Sequence, residues 1–262
     1  MATKVENALR PGTTLVHRDE SGDKIYTIIR TLGGGGFGIT YLVKGYAGNI
    51  PVKLAIKEHF MKSLCERDGQ TMSVNYSAPV AKQVKDSLRD FITEATRLNK
   101  QDVRHPNIIA IDDVFEANNT AYYVMQYIDG PSLSDYINRV RGGKPLPEKD
   151  ALGLMRPVLD ALSKMHEVRI THLDMKPDNI LLATDEITGE KRPIIIDFGL
   201  SKHYDEEGHP TSTVNTLACS NGYSPIEQYS GITKFSPEAD VYACAATIFF
   251  LLTGHAPGKA PV

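Results

Sequence analysis

Residues able to do chemistry are concentrated in the stretch Ile170-Thr171-His172-Leu173-Asp174-Met175-Lys176-Pro177-Asp178-Asn179. It sets a carboxylate, an amine two residues on and an amide five residues on into one short segment. Asp174 could take a hydroxyl proton, Lys176 could hold a phosphate oxygen and Asn179 could hold a divalent metal. Eighteen residues beyond Asn179 comes a second carboxylate, in Asp197-Phe198-Gly199, after the apolar run Pro193-Ile194-Ile195-Ile196. Far upstream, Gly33, Gly35 and Gly38 keep a G-x-G-x-x-G spacing, with Gly34 and Gly36 between them and Phe37 at the tip. Residues without side chains let backbone N–H groups come close to phosphates.

The elements that must position these groups follow from periodicity. Residues 25–58 alternate as strands do: Ile25 to Leu32, Ile39 to Val43 and Val52 to Lys57. A strand, not a helix, follows the glycine-rich turn, which excludes a dinucleotide-binding βα turn. Lys57 ends its strand among apolar neighbours and needs a carboxylate partner. Between residues 67 and 115 the only glutamate is Glu94. It lies beside the helical stripe Val84, Leu88, Phe91, Ile92, Ala95 and Leu98. The polar segment 59–80 separates strand from helix; a short helix at Met61 to Glu66 and a hairpin near Asp68-Gly69 are expected there. Ile109 to Phe115 and Ala121 to Tyr127 read as two more strands around an Asn118-Asn119 turn. After Ile128-Asp129-Gly130-Pro131 the pattern becomes helical. Ser132 caps one helix, and Glu148 to Val168 forms a longer one with Leu152, Leu154, Met155, Val158, Leu159, Leu162 and Met165 on its apolar side. Asp240 to Gly254 is a further helix. The expectation is an α+β chain of two lobes: a polar lead-in over 1–24, a sheet-rich lobe over 25–127 and a mostly helical lobe over 128–262, with a ligand cleft between the lobes.

The bulk numbers fit that picture. The chain has 262 residues, 41% hydrophobic content and a net charge of -3. No basic block points to nucleic acid or a membrane surface. The longest apolar run, Ala243 to Thr253, is too short to span a bilayer. Three scattered cysteines, Cys65, Cys219 and Cys244, suit a reducing cytoplasm, and the first residues lack the apolar segment of a secretory signal.

These motifs, in this order, resemble the eukaryotic-type serine/threonine protein kinases of bacteria. The nearest likeness is to the group reading Gly-Gly-Phe-Gly-Ile-Thr-Tyr-Leu, here Gly35 to Leu42, and Ala-Ile-Lys-Glu-His-Phe, here Ala55 to Phe60. That group tends to carry a long insert after the lysine strand. The resemblance implies the two-lobed protein kinase fold, with an N-terminal antiparallel sheet and one main helix. It implies ATP and Mg²⁺ as cofactors, with Mn²⁺ as a substitute. Adenine would lie between Thr40 and Ala55 on one side and Leu181 on the other. Met125 would be the gatekeeper, and Gln126 and Ile128 would offer hinge backbone groups. Gly33 to Gly38 would cover the phosphates. Lys57, paired with Glu94, would hold the α- and β-phosphates. Asn179 and Asp197 would hold the metal, Lys176 the γ-phosphate, and Asp174 would orient the acceptor hydroxyl. A regulatory stack of Leu98, Ile111, His172 and Phe198, anchored by Asp240, would join the lobes. The partner would be a protein with a Ser/Thr acceptor, with autophosphorylation also expected; Lys176 points to serine/threonine rather than tyrosine substrates. The activation segment would run from Asp197 to Glu227, with Ser220 touching the catalytic groups and Thr211, Ser212, Thr213 and Thr216 as phosphosite candidates.

Three departures set expectations of their own. Leu173 replaces the arginine of His-Arg-Asp, and leucine cannot read a phosphate through bidentate hydrogen bonds. Control by loop phosphorylation is therefore not expected. Thr40 replaces a valine, weakening the apolar cover of adenine. The helices that follow Gly254 in the family are missing from these 262 residues, so the C-lobe is expected to be truncated and Glu227 to lack its arginine. The alternative reading is a nucleotide-binding pseudokinase or scaffold, against which Lys57, Glu94, Asp174, Asn179 and Asp197 all count. A small-molecule phosphotransferase would lack the glycine consensus and the Pro225-Ile226-Glu227 segment.

Overall fold

The computed structural model describes residues 5–20, 22–99, 103–185, 187–211, 219–229 and 236–260. The chain divides into two compact units, Met1–Asn99 with Ala110–Tyr127, and Lys100–Ile109 with Ile128–Val262.

The first unit is built on strand alternation. β1 (Thr14–Asp19), β2 (Gly22–Gly34), β3 (Gly38–Ala47) and β4 (Ile50–His59) follow one another as antiparallel neighbours. The two small strands β5 (Cys65–Arg67) and β6 (Val74–Tyr76) form a separate hairpin. Helix α1 (Ala81–Leu98) comes next, then β7 (Ile111–Ala117) and β8 (Thr120–Gln126), giving the order β1-β2-β3-β4-β8-β7 in one sheet. The sheet curls until its two edges meet. His17 Nδ1 on β1 lies 2.7 Å from Asp113 Oδ2 on β7, and the His17 ring stacks on Phe115. The sequence presents residues 14–19 as part of a polar lead-in, but they form this edge strand. Leu15, facing inward and 2% exposed, is what ties them down.

Register sorts the side chains of β3, β4 and β8 onto two faces. Ala55 stands opposite Leu42 and Met125, and Lys57 opposite Thr40 and Tyr123, so these six share one face. Ile39, Tyr41, Ile56, Tyr122 and Val124 lie on the other, inside an apolar core with Leu9, Leu15, Phe60, Met61 and Cys65. The expected helix at 61–66 does not form. Met61 to Leu64 make a tight turn, with Leu64 N donating to Met61 O at 2.9 Å, and the chain then extends into β5. The apolar residues Phe60, Met61 and Cys65 are needed against the sheet, and an extended path delivers them there. The expected hairpin does form, and Asp68 Oδ1 accepts from the N–H groups of Gln70 and Thr71 to shape its turn.

The second unit carries α2 (Leu133–Asp135), a wider helical turn at Tyr136–Val140, α3 (Glu148–Glu167), β9 (Ile170–Thr171), β10 (Ile180–Thr184), β11 (Lys191–Ile195), β12 (Lys202–His203), α4 (Ile226–Tyr229) and α5 (Glu238–Thr253). Ser132 Oγ accepts from Asp135 N at 3.0 Å, the expected cap. In α3, Met155, Val158, Leu162 and Met165 are buried, but Leu152 and Leu159 are exposed. Those two are seven residues apart and share a stripe of their own, so the helix has a wider apolar surface than the unit covers. Gly254, at φ 77°, ends α5 with its N–H on Phe250 O. The observed class is α+β, an antiparallel sheet with one main helix followed by a helical region.

Candidate active site

The site groups of the second unit converge on Asp174. The residue follows Leu173, whose φ is 63°, so the chain turns sharply just before the carboxylate. Buried Asp240, at the start of α5, holds that turn: its two oxygens accept from His172 N at 2.8 Å and Leu173 N at 2.9 Å. His166 Nε2 lies 2.8 Å from the same carboxylate. The Asp174 carboxylate is then loaded with donors. Lys176 Nζ reaches Oδ1 at 2.9 Å and Oδ2 at 2.7 Å. Ser220 donates to Oδ1 at 2.7 Å and accepts from Lys176 at 2.9 Å. Asn179 Nδ2 donates to the Asp174 carbonyl at 2.7 Å and to Oδ2 at 2.9 Å. Charge-assisted contacts of this kind fix an anion in position as well as stabilising it.

Asn179 is 5% exposed. Its amide nitrogen is committed to Asp174, which leaves its carbonyl oxygen as the atom for a cation. Half-buried Asp197, at φ 62°, accepts from Gly199 N at 3.1 Å. A carboxylate and an amide oxygen are hard donors and fit Mg²⁺ or Mn²⁺. Phe198 is buried and its ring lies 5.2 Å from that of His172. Leu181 pairs with Ile194 across β10 and β11, and Ile128 is buried at the start of the same unit.

Sequence alone does not mark Gln228. Its side chain is buried, and Nε2 donates to the Leu173 carbonyl at 2.8 Å. It thereby ties α4 to the residue before Asp174, while Glu227 beside it is exposed. A glutamine after Pro-Ile-Glu carries no pattern that distinguishes it from a surface residue. Leu173 itself packs with Ala239 and Leu200. Of the phosphosite candidates, Thr211 is exposed and its Oγ1 donates to His203 O at 3.3 Å. Ser212, Thr213 and Thr216 lie outside the described residues.

The first unit brings together the other predicted groups. Lys57 and Glu94 are both buried, at 6% and 5% exposed. Helix α1 lies on the Lys57 face of the sheet: the Phe91 ring stacks on Tyr123, the cross-strand partner of Lys57, and Ser87 Oγ is 2.8 Å from His59 Nε2. Ser87, Phe91 and Glu94 follow at helical spacing, so Glu94 continues that contact line along the strand. Arg97 also donates to Glu94, at 3.3 Å. Burial first and the Lys57 charge second depress the pKa of His59 to about 4.

The glycine-rich turn shows why its residues are small. A Cβ on Gly38 would meet Glu58 O at 2.7 Å and Lys57 Cε at 3.0 Å, so Gly38 lets the lysine side chain pass. A Cβ on Gly34 would meet Val5 at 2.7 Å, whereas Gly33, Gly35 and Gly36 have open space around them. An uncovered backbone beside a buried lysine fits a nucleotide's phosphates. Thr40, Ala55 and Met125 share the Lys57 face of the sheet, and Gln126, next along β8, is exposed.

Comparison with known proteins agrees with this geometry. The family model "Protein kinase domain" matches residues 26–261. Serine/threonine-protein kinase PrkC of Bacillus subtilis (strain 168) is 29% identical over 232 residues, covering 88% of this chain and 31% of PrkC. Serine/threonine-protein kinase PknF of Mycobacterium tuberculosis (strain ATCC 25618 / H37Rv) is 30% identical over 234 residues, 88% of this chain and 43% of PknF. The chain thus spans less than half the length of either relative. Among solved structures, "PpkA-294 apo form" superposes with a TM-score of 0.73 at 25% identity, covering 97% of this chain and 82% of that one. A family match that opens within β2 and closes beyond α5 takes in the site groups from Gly33 to Asp240 in both units, and the chain belongs to the protein kinase family.

Proposed function

We propose that this chain is the catalytic domain of a protein serine/threonine kinase, transferring the γ-phosphoryl group of ATP to Ser/Thr hydroxyls of a protein, itself included. The observation that carries the reading is the Asp174 carboxylate, fixed on both oxygens by Lys176, Ser220 and Asn179. The family implies ATP. We take the N-lobe as residues 25–127 and the C-lobe as 128–262, with residues 100–109 grouping with the second compact unit.

The chain's own residues divide the work. Gly33 to Gly38 give backbone room for phosphates, and Lys57, set by Glu94, supplies a cation beside them. In the first unit Ala55 and Met125, with the methyl group of Thr40, offer cover for a base and Gln126 a backbone edge; in the second unit Leu181 and Ile128 would take the same two roles. Asn179 and Asp197 would hold Mg²⁺, which when bound neutralises charge on the phosphates. Asp174 orients the acceptor hydroxyl and receives its proton, and Lys176, already beside Asp174, is placed to steady the transferred group. Positioning and charge stabilisation are the main catalytic contributions in such transfer. The three cysteines are free, which suits a reducing cytoplasm; among the described residues no helix is long and apolar enough to cross a membrane.

The test is phosphate transfer from labelled ATP with Mg²⁺ to casein and to the chain itself. Asp174→Asn is expected to cut transfer about 10²–10⁴-fold while thermal-shift binding of ATP stays near normal. Lys57→Met is expected to abolish transfer. ATP binding without transfer in the unaltered chain would favour a scaffold, and loss of ATP binding in Asp174→Asn would make that residue structural.

A further inference from the structure

Residues 59–80 take no part in the transfer chemistry, yet they hold one half of a deeply buried charge pair. Glu58 follows Lys57 in β4, so strand alternation turns it to the opposite face, where it is 0% exposed. Its Oε1 accepts from Tyr122 OH at 2.7 Å, and its Oε2 accepts from Tyr41 OH at 2.7 Å and Arg67 Nη2 at 2.5 Å. Burial, and then the Glu58 charge, push both phenols well above their usual pKa, so they remain donors. Arg67 spends its other donors on backbone: Nε on Asn7 O at 2.6 Å and Nη1 on Met72 O at 2.8 Å. Tyr41 OH also accepts from Leu9 N at 3.1 Å. One carboxylate therefore gathers β3, β4, β8, the 59–80 segment and the N-terminal residues.

The same segment reaches the glycine-rich turn. Lys62 N donates to Gly36 O at 3.0 Å, and Phe60 N donates to Phe37 O at 3.2 Å. The Phe37 side chain packs on the core that contains Phe60 and Met61. From the far end, Asn119 Nδ2 donates to Val74 O at 2.7 Å and Val74 N to Asn118 O at 2.8 Å, so the β5–β6 hairpin is docked on the β7–β8 turn.

We propose that Arg67 is a positioning residue: locked by Glu58, it holds residues 60–67 so that the Phe60 and Lys62 amides pin the glycine-rich turn in one conformation before any nucleotide arrives. The segment is a clamp on the turn. Its effect on ATP rests on the kinase reading above, whereas its effect on the turn does not. A turn ordered in advance pays its entropy before binding, so loosening it weakens nucleotide affinity more than it slows the chemical step.

Two variants separate clamp from scaffold. Arg67→Met removes the lock. Lys62→Pro removes one amide at the second position of the Met61–Leu64 turn, where proline fits, and decides the matter if Arg67→Met does not fold. Hydrogen–deuterium exchange of residues 33–38 is measured without nucleotide, alongside exchange of β8, thermal unfolding, and KM and kcat for ATP. In both variants, exchange at 33–38 is expected to rise about tenfold and KM for ATP about tenfold, the scale of one lost hydrogen bond. Protection of β8 is retained in Lys62→Pro, where the Glu58–Arg67 pair is intact, kcat stays within about twofold, and Arg67→Lys falls between. Unchanged exchange at 33–38 in folded Lys62→Pro overturns the clamp; raised exchange with unchanged KM overturns its role toward ATP. If the unaltered chain binds no ATP, the kinase reading falls, and the exchange data alone still decide the clamp.

Discussion

Thr171 ends the short strand β9 just before the His172 turn. It is 0% exposed, and its Oγ1 has no hydrogen-bond partner among the described residues. A buried hydroxyl in that state costs about 1–3 kcal/mol. Thr171→Val keeps the branched shape and removes the cost, so it is expected to raise stability by about 1 kcal/mol, read as a higher Tm; an unchanged or lower Tm would show that the hydroxyl is satisfied in solution. Legibility at this scale was uneven. Lys57 and Asp174 stand out by type and spacing. Glu58 does not, because a glutamate beside a lysine in a strand reads as a solvated face. Its burial comes from Arg67 and the tyrosines, which strand alternation alone cannot bring to it. Leu173 is legible as a missing arginine, but Ala239 and Leu200, the partners that make it an apolar contact, are distant in sequence.

At the scale of elements, strand β4 and helix α1 meet through His59, Ser87 and Phe91. The His59 pKa is depressed to about 4 in the fold, against about 6.5 when unfolded. Between those values the unfolded chain binds the extra proton, so stability rises with pH across the window and is lost as pH falls through it. The loss over that window is about 3 kcal/mol. The unaltered chain is expected to lose Tm on going from pH 7 to pH 4.5, and His59→Gln to lose distinctly less; parallel curves would rule out this residue as the source. Strands β2–β4, β7 and β8 and helices α1, α3 and α5 were readable from periodicity to within a few residues, whereas the short strands β9 to β12 were not expected in a lobe read as mostly helical. At 61–66 composition suited a helix, and the need to cover the sheet produced a turn and a strand instead. The sheet's closure through β1 was not readable, since one inward Leu15 in a polar stretch gives no strand signal.

At the scale of the whole molecule, the groups proposed to act come from stretches far apart in the chain, and each stretch is held by something other than its neighbours in sequence. Asp240 holds the 172–174 turn and Gln228 holds its carbonyl. Where an arginine would face a phosphate, Leu173 meets Leu200 and Ala239. Apolar contact needs no added charge, so phosphatase treatment is expected to leave transfer activity within about threefold, since no guanidinium at that position reads a phosphate. A larger loss would locate a phosphate reader elsewhere.

Val5 sits where a Gly34 side chain would be, and Lys62 Nζ is 3.6 Å from Glu6. Val5 and Glu6 are thus packed against the glycine-rich turn and the segment that follows β4. An affinity tag joined upstream of Val5 is expected to disturb the glycine-rich turn, so ATP affinities measured on N-terminally and C-terminally tagged protein are expected to differ.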